Sequence, residues 1–166
     1  MAELRSAYLI IGTDRPKVTR ALRRLRDRVG QEATEHLSAN EASGEDAAAA
    51  CNALGLFTVE RRLVVVEDVE SWKTADVKAV DEYLKGPAPT TVLALVGPGL
   101  KRDSALAKAV AKAGEVLVYD LPTRGRGNKA DLPKWVEQQF HERGIQVDHD
   151  AARALVELVG DDAQEL

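Results

Sequence analysis

The feature that most constrains this chain is the alternation of short apolar runs with amphipathic segments along its first 120 residues. Leu63–Val66 is apolar at consecutive positions, as a strand buried on both faces is, and Thr91–Val96 has a similar character. Arg15–Val29 and Thr74–Leu84 instead repeat apolar residues at the spacing of a helical face. The alternation predicts an α/β fold in which helices cover both faces of a parallel sheet.

Five further elements complete this pattern. Asp14 is suited to cap the first helix, and Pro16 is tolerated in its first turn. The remaining strands are predicted at Tyr8–Ile11, Ala33–Ser38 and Glu115–Tyr119, and the remaining helices at Asp46–Leu54 and Asp103–Ala113.

A change of pattern after the fifth strand predicts a second domain. Pro122–Gly127 is rich in Pro, Gly and Arg, as linkers are. Two helices follow, the first capped by Asp131 and the second capped by Asp148 and ending at Gly160. We therefore expect one domain over residues 1–121 and a small helical domain over residues 128–166.

The end of the chain suggests a fragment. A further helix begins at Asp161 or Asp162, yet the sequence stops at Leu166. We therefore expect the helical domain to be partial.

The composition favours an ordinary soluble protein. Hydrophobic residues make up 45% of the 166 residues and charged residues 30%, with a formal net charge of -4, so no overall basic excess indicates tight binding to duplex DNA. The single cysteine, Cys51, excludes a disulfide or a cysteine-based metal site within one chain. No apolar stretch approaches the roughly 18 residues that a membrane span needs. We expect a cytoplasmic protein with Cys51 buried in a helix.

A phosphate-binding loop would be expected where the first strand meets the first helix. The sequence there, Gly12–Thr19, matches the motif G-x-x-x-x-G-K-[ST] at its first glycine and at Thr19 only. Pro16 removes a backbone donor, and Asp14 adds a negative charge beside the expected phosphate. The sequence therefore predicts a capped strand-to-helix turn without ATP, and no cofactor.

Other polar residues form no recognisable catalytic set. His36, His141 and His149 are scattered, and only His36, on a weak strand, is expected to be partly buried. Gly97–Arg102 precedes a helix and is either a simple turn or an anion cradle. The first helix is strongly basic, which indicates either a solvated face or a surface that contacts DNA or another subunit through Arg20, Arg23 and Arg24.

The most informative segment runs from Asn52 to Arg62. A helix is predicted to end near Leu54, with Gly55 as its left-handed cap. Leu56 and Phe57 then precede the strongest strand. Such a pair either folds back into the core or projects as an anchor for a pocket on a partner protein.

The run Leu54–Val66 resembles a stretch of the bacterial clamp-loader delta subunit, a component of DNA polymerase III. In that stretch a small residue, a leucine or proline and a phenylalanine follow one another, and an arginine comes later, just before a hydrophobic strand. Two other regions resemble the family: Tyr8–Gly12 with the basic helix that follows, and the tail, from Leu132–Val136 through Gly144–Ile145 to Ala151–Leu155 and Val159–Asp161. The resemblance extends over essentially the whole chain in the expected order. The absent phosphate-loop lysine agrees with it, since delta subunits share the AAA+ fold without a working ATP site.

The resemblance implies a RecA/AAA+-like domain, a helical lid domain that is truncated here, and a missing collar domain. It also implies that Leu56 and Phe57 insert into a pocket of the sliding clamp (the beta subunit) and help to open the ring. The chain would itself catalyse no reaction. Its partners would be the clamp, other clamp-loader subunits and, in the full assembly, DNA, but no membrane. The resemblance thus also implies association with the nucleoid. The alternative is a nucleotide-binding protein or small-molecule α/β enzyme of another family, which would need a polar pocket at the carboxyl ends of the strands.

Overall fold

The chain forms two compact units, Met1–Tyr119 and Asp120–Leu166. The structure is a computed structural model that describes residues 3–30, 33–53, 61–121 and 132–159. Among these residues, no helix has the length and apolar character needed to span a membrane.

The first unit is built on a parallel sheet, as the sequence predicts. Its strands are β1 Ala7–Ile11, β2 Thr34–Ser38, β3 Arg62–Glu67, β4 Thr91–Val96 and β5 Glu115–Val118. They have the order β2-β3-β4-β1-β5, and every neighbouring pair is parallel. The two strands with long apolar runs, β3 and β4, lie side by side within the sheet, where helices on both faces exclude water.

Helices pack on both faces of this sheet. The helices are α1 Arg15–Val29, α2 Gly44–Asn52, α3 Thr74–Leu84 and α4 Ala105–Ala113, and a short 3-10 turn covers Val69–Ser71. One face of the sheet is covered by α1 through the apolar side chains of Val18, Leu22 and Leu25. The opposite face packs against the other three helices, with Leu106 and Val110 among the buried side chains.

Two helix starts differ from the prediction because serine residues cap them. Helix α2 begins at Gly44 rather than Asp46: the Ser43 side chain accepts from the Asp46 amide, and the Asp46 carboxylate accepts from the Ser43 amide. This capping box makes Asp46 a residue of the first turn. Helix α4 begins at Ala105 rather than Asp103, since Ser104 is its cap. The predicted ranges of α1, α3 and β4 are confirmed.

The second unit contains two helices in its described part, α5 Leu132–Glu142 and α6 His149–Val159. Asp148 caps α6, as predicted, because its carboxylate accepts a hydrogen bond of 2.7 Å from the Ala151 amide. The expected cap Asp131 and the expected stop Gly160 lie outside the described residues. The assignment of this unit as a partial lid domain, with boundaries at 121 and 128, remains a prediction.

Asp76 joins the amino ends of α2 and α3. Its Oδ1 accepts from the Gly44 amide of α2 and its Oδ2 from the Lys73 amide before α3, each at 2.9 Å. Both amides belong to helix starts, where backbone donors have no partner within the helix. The hydrogen bond from Gly44, followed by that from Lys73, lowers the pKa of the Asp76 carboxyl.

The lowered pKa predicts a pH-dependent contribution of Asp76 to stability. A carboxyl whose pKa is depressed in the folded state stabilises the fold above its unfolded pKa, near 3.8, and this contribution is lost as pH falls below it. We expect Asp76→Asn to lower the free energy of unfolding at pH 7, with a smaller difference from the unsubstituted chain below pH about 3. Urea unfolding at both pH values measures this. A difference in the free energy of unfolding that is equally large at both pH values would contradict the assignment.

Candidate functional site

The turn between β1 and α1 holds a buried carboxylate where a phosphate loop would hold its anion. Asp14 is 1% exposed, and its Oδ1 accepts a hydrogen bond of 3.1 Å from the Lys17 amide in the first turn of α1. The partial positive charge of a helix start favours a negative group at this position. The predicted cap is therefore confirmed, and the carboxylate lies at the end of the helix that binds phosphate in related folds.

Lys17 neutralises this carboxylate. Its Nζ lies 3.2 Å from Asp14 Oδ2. In a working phosphate loop the lysine is reserved for the nucleotide, whereas here the nearest lysine forms an ion pair within the turn. The helix start thus carries its own anion and counter-charge, although Asp14 Oδ2 is paired with Lys17 only as an ion pair and accepts no hydrogen bond.

The same turn is closed against the last strand. Tyr119 donates its amide to the Ile11 carbonyl at 2.8 Å, and its carbonyl accepts from the Asp14 amide at 2.9 Å. Gly12 adopts φ +125°, and a Cβ there would lie only 2.0 Å from the Tyr119 carbonyl oxygen. Gly12 therefore allows close contact of two backbone segments, and it does not form part of an open loop around a ligand.

A polar network that the sequence did not reveal lies at the carboxyl ends of β2 and β3. Asp68 has a left-handed backbone, with φ 59°, and its Oδ2 accepts from Asn40 Nδ2 at 3.1 Å and from Ser38 Oγ at 3.4 Å. Thirty residues separate Ser38 from Asp68, so no local motif could have indicated it. The network ties two loops together at the edge where α/β proteins bind ligands.

Leu56 and Phe57, the predicted clamp-binding pair, lie outside the described residues. The described residues on either side show how the chain leaves α2 and enters β3. Helix α2 ends at Asn52, two residues earlier than predicted, and Ala53 is in an extended conformation. The predicted cap Gly55 also falls outside the described part, and the helix has ended before it. On the other side, Arg62 begins β3 and donates its amide to the Thr90 carbonyl at 2.8 Å.

The carboxyl end of α2 is held by side chains from β3 and β4. The Thr91 hydroxyl donates to the Cys51 carbonyl at 3.0 Å, and Arg62 Nη1 donates to the Ala53 carbonyl. Arg62 Nη2 also lies 2.9 Å from Glu35 Oε2 on the edge strand β2. Helix ends leave carbonyl groups without hydrogen-bond donors within the helix, and Thr91 and Arg62 supply such donors here. These contacts lie at the amino edge of the sheet, opposite the β1–α1 turn.

Cys51 is a buried structural residue, as predicted. Burial raises the pKa of its thiol to about 11. The thiol is therefore protonated at neutral pH and unsuited to nucleophilic attack.

The remaining candidate residues do not form a site in the described parts of the chain. His36 is exposed on β2, contrary to the expectation of partial burial, because β2 is an edge strand. Ser104, rather than Gly97–Arg102, caps α4, which favours the simple-turn interpretation. No group of three or more His, Cys, Asp or Glu side chains among the described residues could hold a metal ion.

The basic helix α1 is only partly free to meet a ligand. Arg23 and Arg24 are exposed and Arg20 is half-buried. Arg24 lines a groove of about 610 Å³ between α1 and β5 that also contains Asp27 and Glu115. The charge of this groove is therefore mixed, and contact of Arg20, Arg23 and Arg24 with DNA or another subunit remains a prediction.

The sequence matches the family of DNA polymerase III delta subunits over residues 8–119. This match extends over more than half of the chain and includes the whole sheet apart from its first residue. The chain belongs to the DNA polymerase III delta subunit family, which confirms the resemblance seen in its sequence. A comparison with curated protein sequences found no match.

Solved structures support the same fold. The Bacillus subtilis DNA clamp loader delta protein YqeN has a TM-score of 0.66 and 22% identity, and the match covers 93% of this chain and 48% of that one. A DNA polymerase III gamma subunit-related protein from Thermotoga maritima has a TM-score of 0.50 and 16% identity, covering 84% of this chain and 49% of that one. These matches confirm the predicted RecA/AAA+-like fold, and the chain spans about half the length of both proteins.

The buried cap predicts a stability cost for its removal. Asp14→Ala should lower the free energy of unfolding by about 1–2 kcal/mol, because the Lys17 amide loses its acceptor and α1 loses its cap. Urea unfolding followed by circular dichroism measures the change. Asp27→Ala, which removes an exposed carboxylate near the other end of α1, should have a much smaller effect because negative charge is unfavourable there. Similar losses in the two variants would count against the cap.

Proposed function

We propose that this chain binds a bacterial sliding clamp through Leu56 and Phe57 and thereby helps to open the clamp ring during DNA replication. The observation that carries the proposal is the family match, which extends over residues 8–119 and so includes both side chains. The structural relative from Bacillus subtilis is named a DNA clamp loader delta protein, which also supports a role in clamp loading.

The chemistry of the pair suits a protein pocket. Leucine and phenylalanine bury large apolar surfaces, and a small number of such anchors supply most of the binding energy in many interfaces. Binding opens a ring only if the open form is favoured over the closed form by its contacts. The chain would therefore act through differential binding, and its own side chains would make or break no covalent bond.

The two edges of the sheet support a division of roles. At the carboxyl edge, Asp14 and Lys17 satisfy the helix start that a nucleotide would otherwise use. At the amino edge, Ala53 and Arg62 frame the segment that carries Leu56 and Phe57. In this proposal the energy of ATP hydrolysis comes from other clamp-loader subunits, and this chain supplies the clamp contact.

The clamp contact predicts a large loss of affinity when both anchors are removed. Leu56→Ala combined with Phe57→Ala should weaken binding to a bacterial sliding clamp by at least 2 kcal/mol, about 30-fold, which is the scale of interface hot spots. Isothermal titration calorimetry with the purified clamp measures the affinity. The far-ultraviolet circular dichroism spectrum should remain that of the unsubstituted chain.

Leu158→Ala is the matched control. It removes another apolar side chain, 87% exposed on α6, and should leave clamp affinity unchanged. If the unsubstituted chain binds the clamp and the double variant binds it equally well, the site assignment is wrong. If the unsubstituted chain does not bind the clamp, the proposed function itself is wrong.

The alternative of a nucleotide-binding protein is tested separately. Since the Asp14 carboxylate lies at the helix start where phosphate would bind, we expect ATP with magnesium to leave the melting temperature unchanged. A ligand that binds only the folded state raises the melting temperature as its concentration exceeds the dissociation constant. Differential scanning fluorimetry with magnesium chloride alone as the control makes the comparison, and a saturable rise with ATP would favour the alternative.

A further inference from the structure

We propose that Arg62 is a positioning residue that holds together the two ends of the segment carrying the clamp-binding pair. This inference rests on the proposed clamp binding by Leu56 and Phe57. Arg62 would not touch the clamp; it would fix where the segment leaves α2 and where it enters β3.

The guanidinium of Arg62 connects three elements. Nη1 donates to the Ala53 carbonyl just beyond α2, and Nη2 donates to Glu35 Oε2 on β2 at 2.9 Å. Its own backbone begins β3. The planar fork of arginine can donate in two fixed directions at once, which a lysine ammonium does not reproduce. Arg62 is thus suited to hold the end of α2, the start of β3 and strand β2 in fixed relative positions.

Shielding from solvent and the dipole of α2 both strengthen the hydrogen bonds of the Arg62 guanidinium. The Arg62 side chain is 18% exposed, whereas that of Glu35 is 43% exposed, so the arginine is the better shielded partner. Its positive charge also lies at the carboxyl end of α2, where the helix dipole favours a cation. A hydrogen bond from a charged donor is stronger than one between neutral groups.

Both ends of α2 are also anchored by contacts that do not involve Arg62. Asp76 accepts from the Gly44 amide, and the Thr91 hydroxyl donates to the Cys51 carbonyl. Arg62 instead binds the carbonyl of Ala53, the first residue after the end of α2. Between Ala53 and Arg61 there are seven residues, and the contact of Arg62 with Ala53 fixes the points at which the chain leaves α2 and enters β3 relative to each other.

Fixing the base should increase affinity without a contact to the partner. Binding costs the entropy of ordering the groups at the interface, and part of that cost is removed when they are ordered beforehand. Arg62→Gln keeps a polar side chain but shortens it and removes the charge and the fork. We expect it to weaken clamp binding about tenfold. Arg62→Lys should lose less, because the ammonium can reach one of the two acceptors.

Arg61→Gln is the matched control. Arg61 is the exposed neighbour of Arg62, and its substitution changes the net charge equally. If a tenfold loss arose from long-range attraction to the clamp, both variants would show it. We expect only Arg62→Gln to do so, and equal losses would overturn the positioning role.

A coupled measurement separates positioning from direct contact. In the background of Leu56→Ala with Phe57→Ala, the added Arg62→Gln should cause no further loss of affinity, since Arg62 acts through that pair. A full tenfold loss in both backgrounds would indicate an independent contact and overturn the proposal. This is the logic of a double-mutant cycle.

Amide hydrogen exchange in the free protein provides a readout that does not depend on the clamp. Arg62→Gln should speed exchange of the Ala53 amide, which donates to the Ala49 carbonyl at the end of α2, and leave the amides of β4 unchanged, whereas Arg61→Gln should change neither. Faster exchange throughout β4 would indicate general destabilisation and overturn the positioning role. Normal clamp binding by Arg62→Gln would refute this inference alone, whereas no clamp binding by the unsubstituted chain would refute the proposed function as well.

Discussion

The parallel pairing of β3 with β4 is the constraint on which the first unit depends. Leu63–Val66 of β3 are fully buried, and their partners in β4 are at most 4% exposed. Strands of this kind need apolar cover on both faces, which α1 supplies on one side and α2, α3 and α4 on the other. The amino ends of the same two strands also carry Arg62 and Thr91, which hold the end of α2.

One sheet therefore has two edges of different chemical character. At the carboxyl edge, where nucleotides bind in many parallel sheets, Asp14 supplies the negative charge and Lys17 the counter-charge. At the amino edge, hydrogen bonds fix the chain on both sides of the segment that carries Leu56 and Phe57. A fold used elsewhere for binding nucleotides is in this way compatible with a role in binding a protein. The function still has to be argued from the sites and not from the fold alone.

Most of the fold could be predicted because its signals are local. Apolar runs identify buried strands, helical spacing identifies α1 and α3, and short polar residues identify caps such as Asp14 and Asp148. The start of α2 was misplaced although its signal was present, since Ser43 followed by Asp46 three residues later is a capping box. The exposure of His36 was misjudged because burial on a strand depends on which strands lie beside it, and β2 is at an edge.

By itself, the sequence determined the fold class, the family resemblance, the loss of the phosphate-loop pattern and the choice of Leu56 and Phe57 as candidate anchors. Each of these depends on residue types at short separations along the chain. Only the tertiary structure decided that Arg62 contacts both Ala53 and Glu35, the latter 27 residues earlier in the chain than Arg62. It also decided that Tyr119 closes the turn at Gly12. Such contacts depend on strand order and on parallel crossovers, which bring distant residues together at one edge of the sheet, so no local pattern contains them.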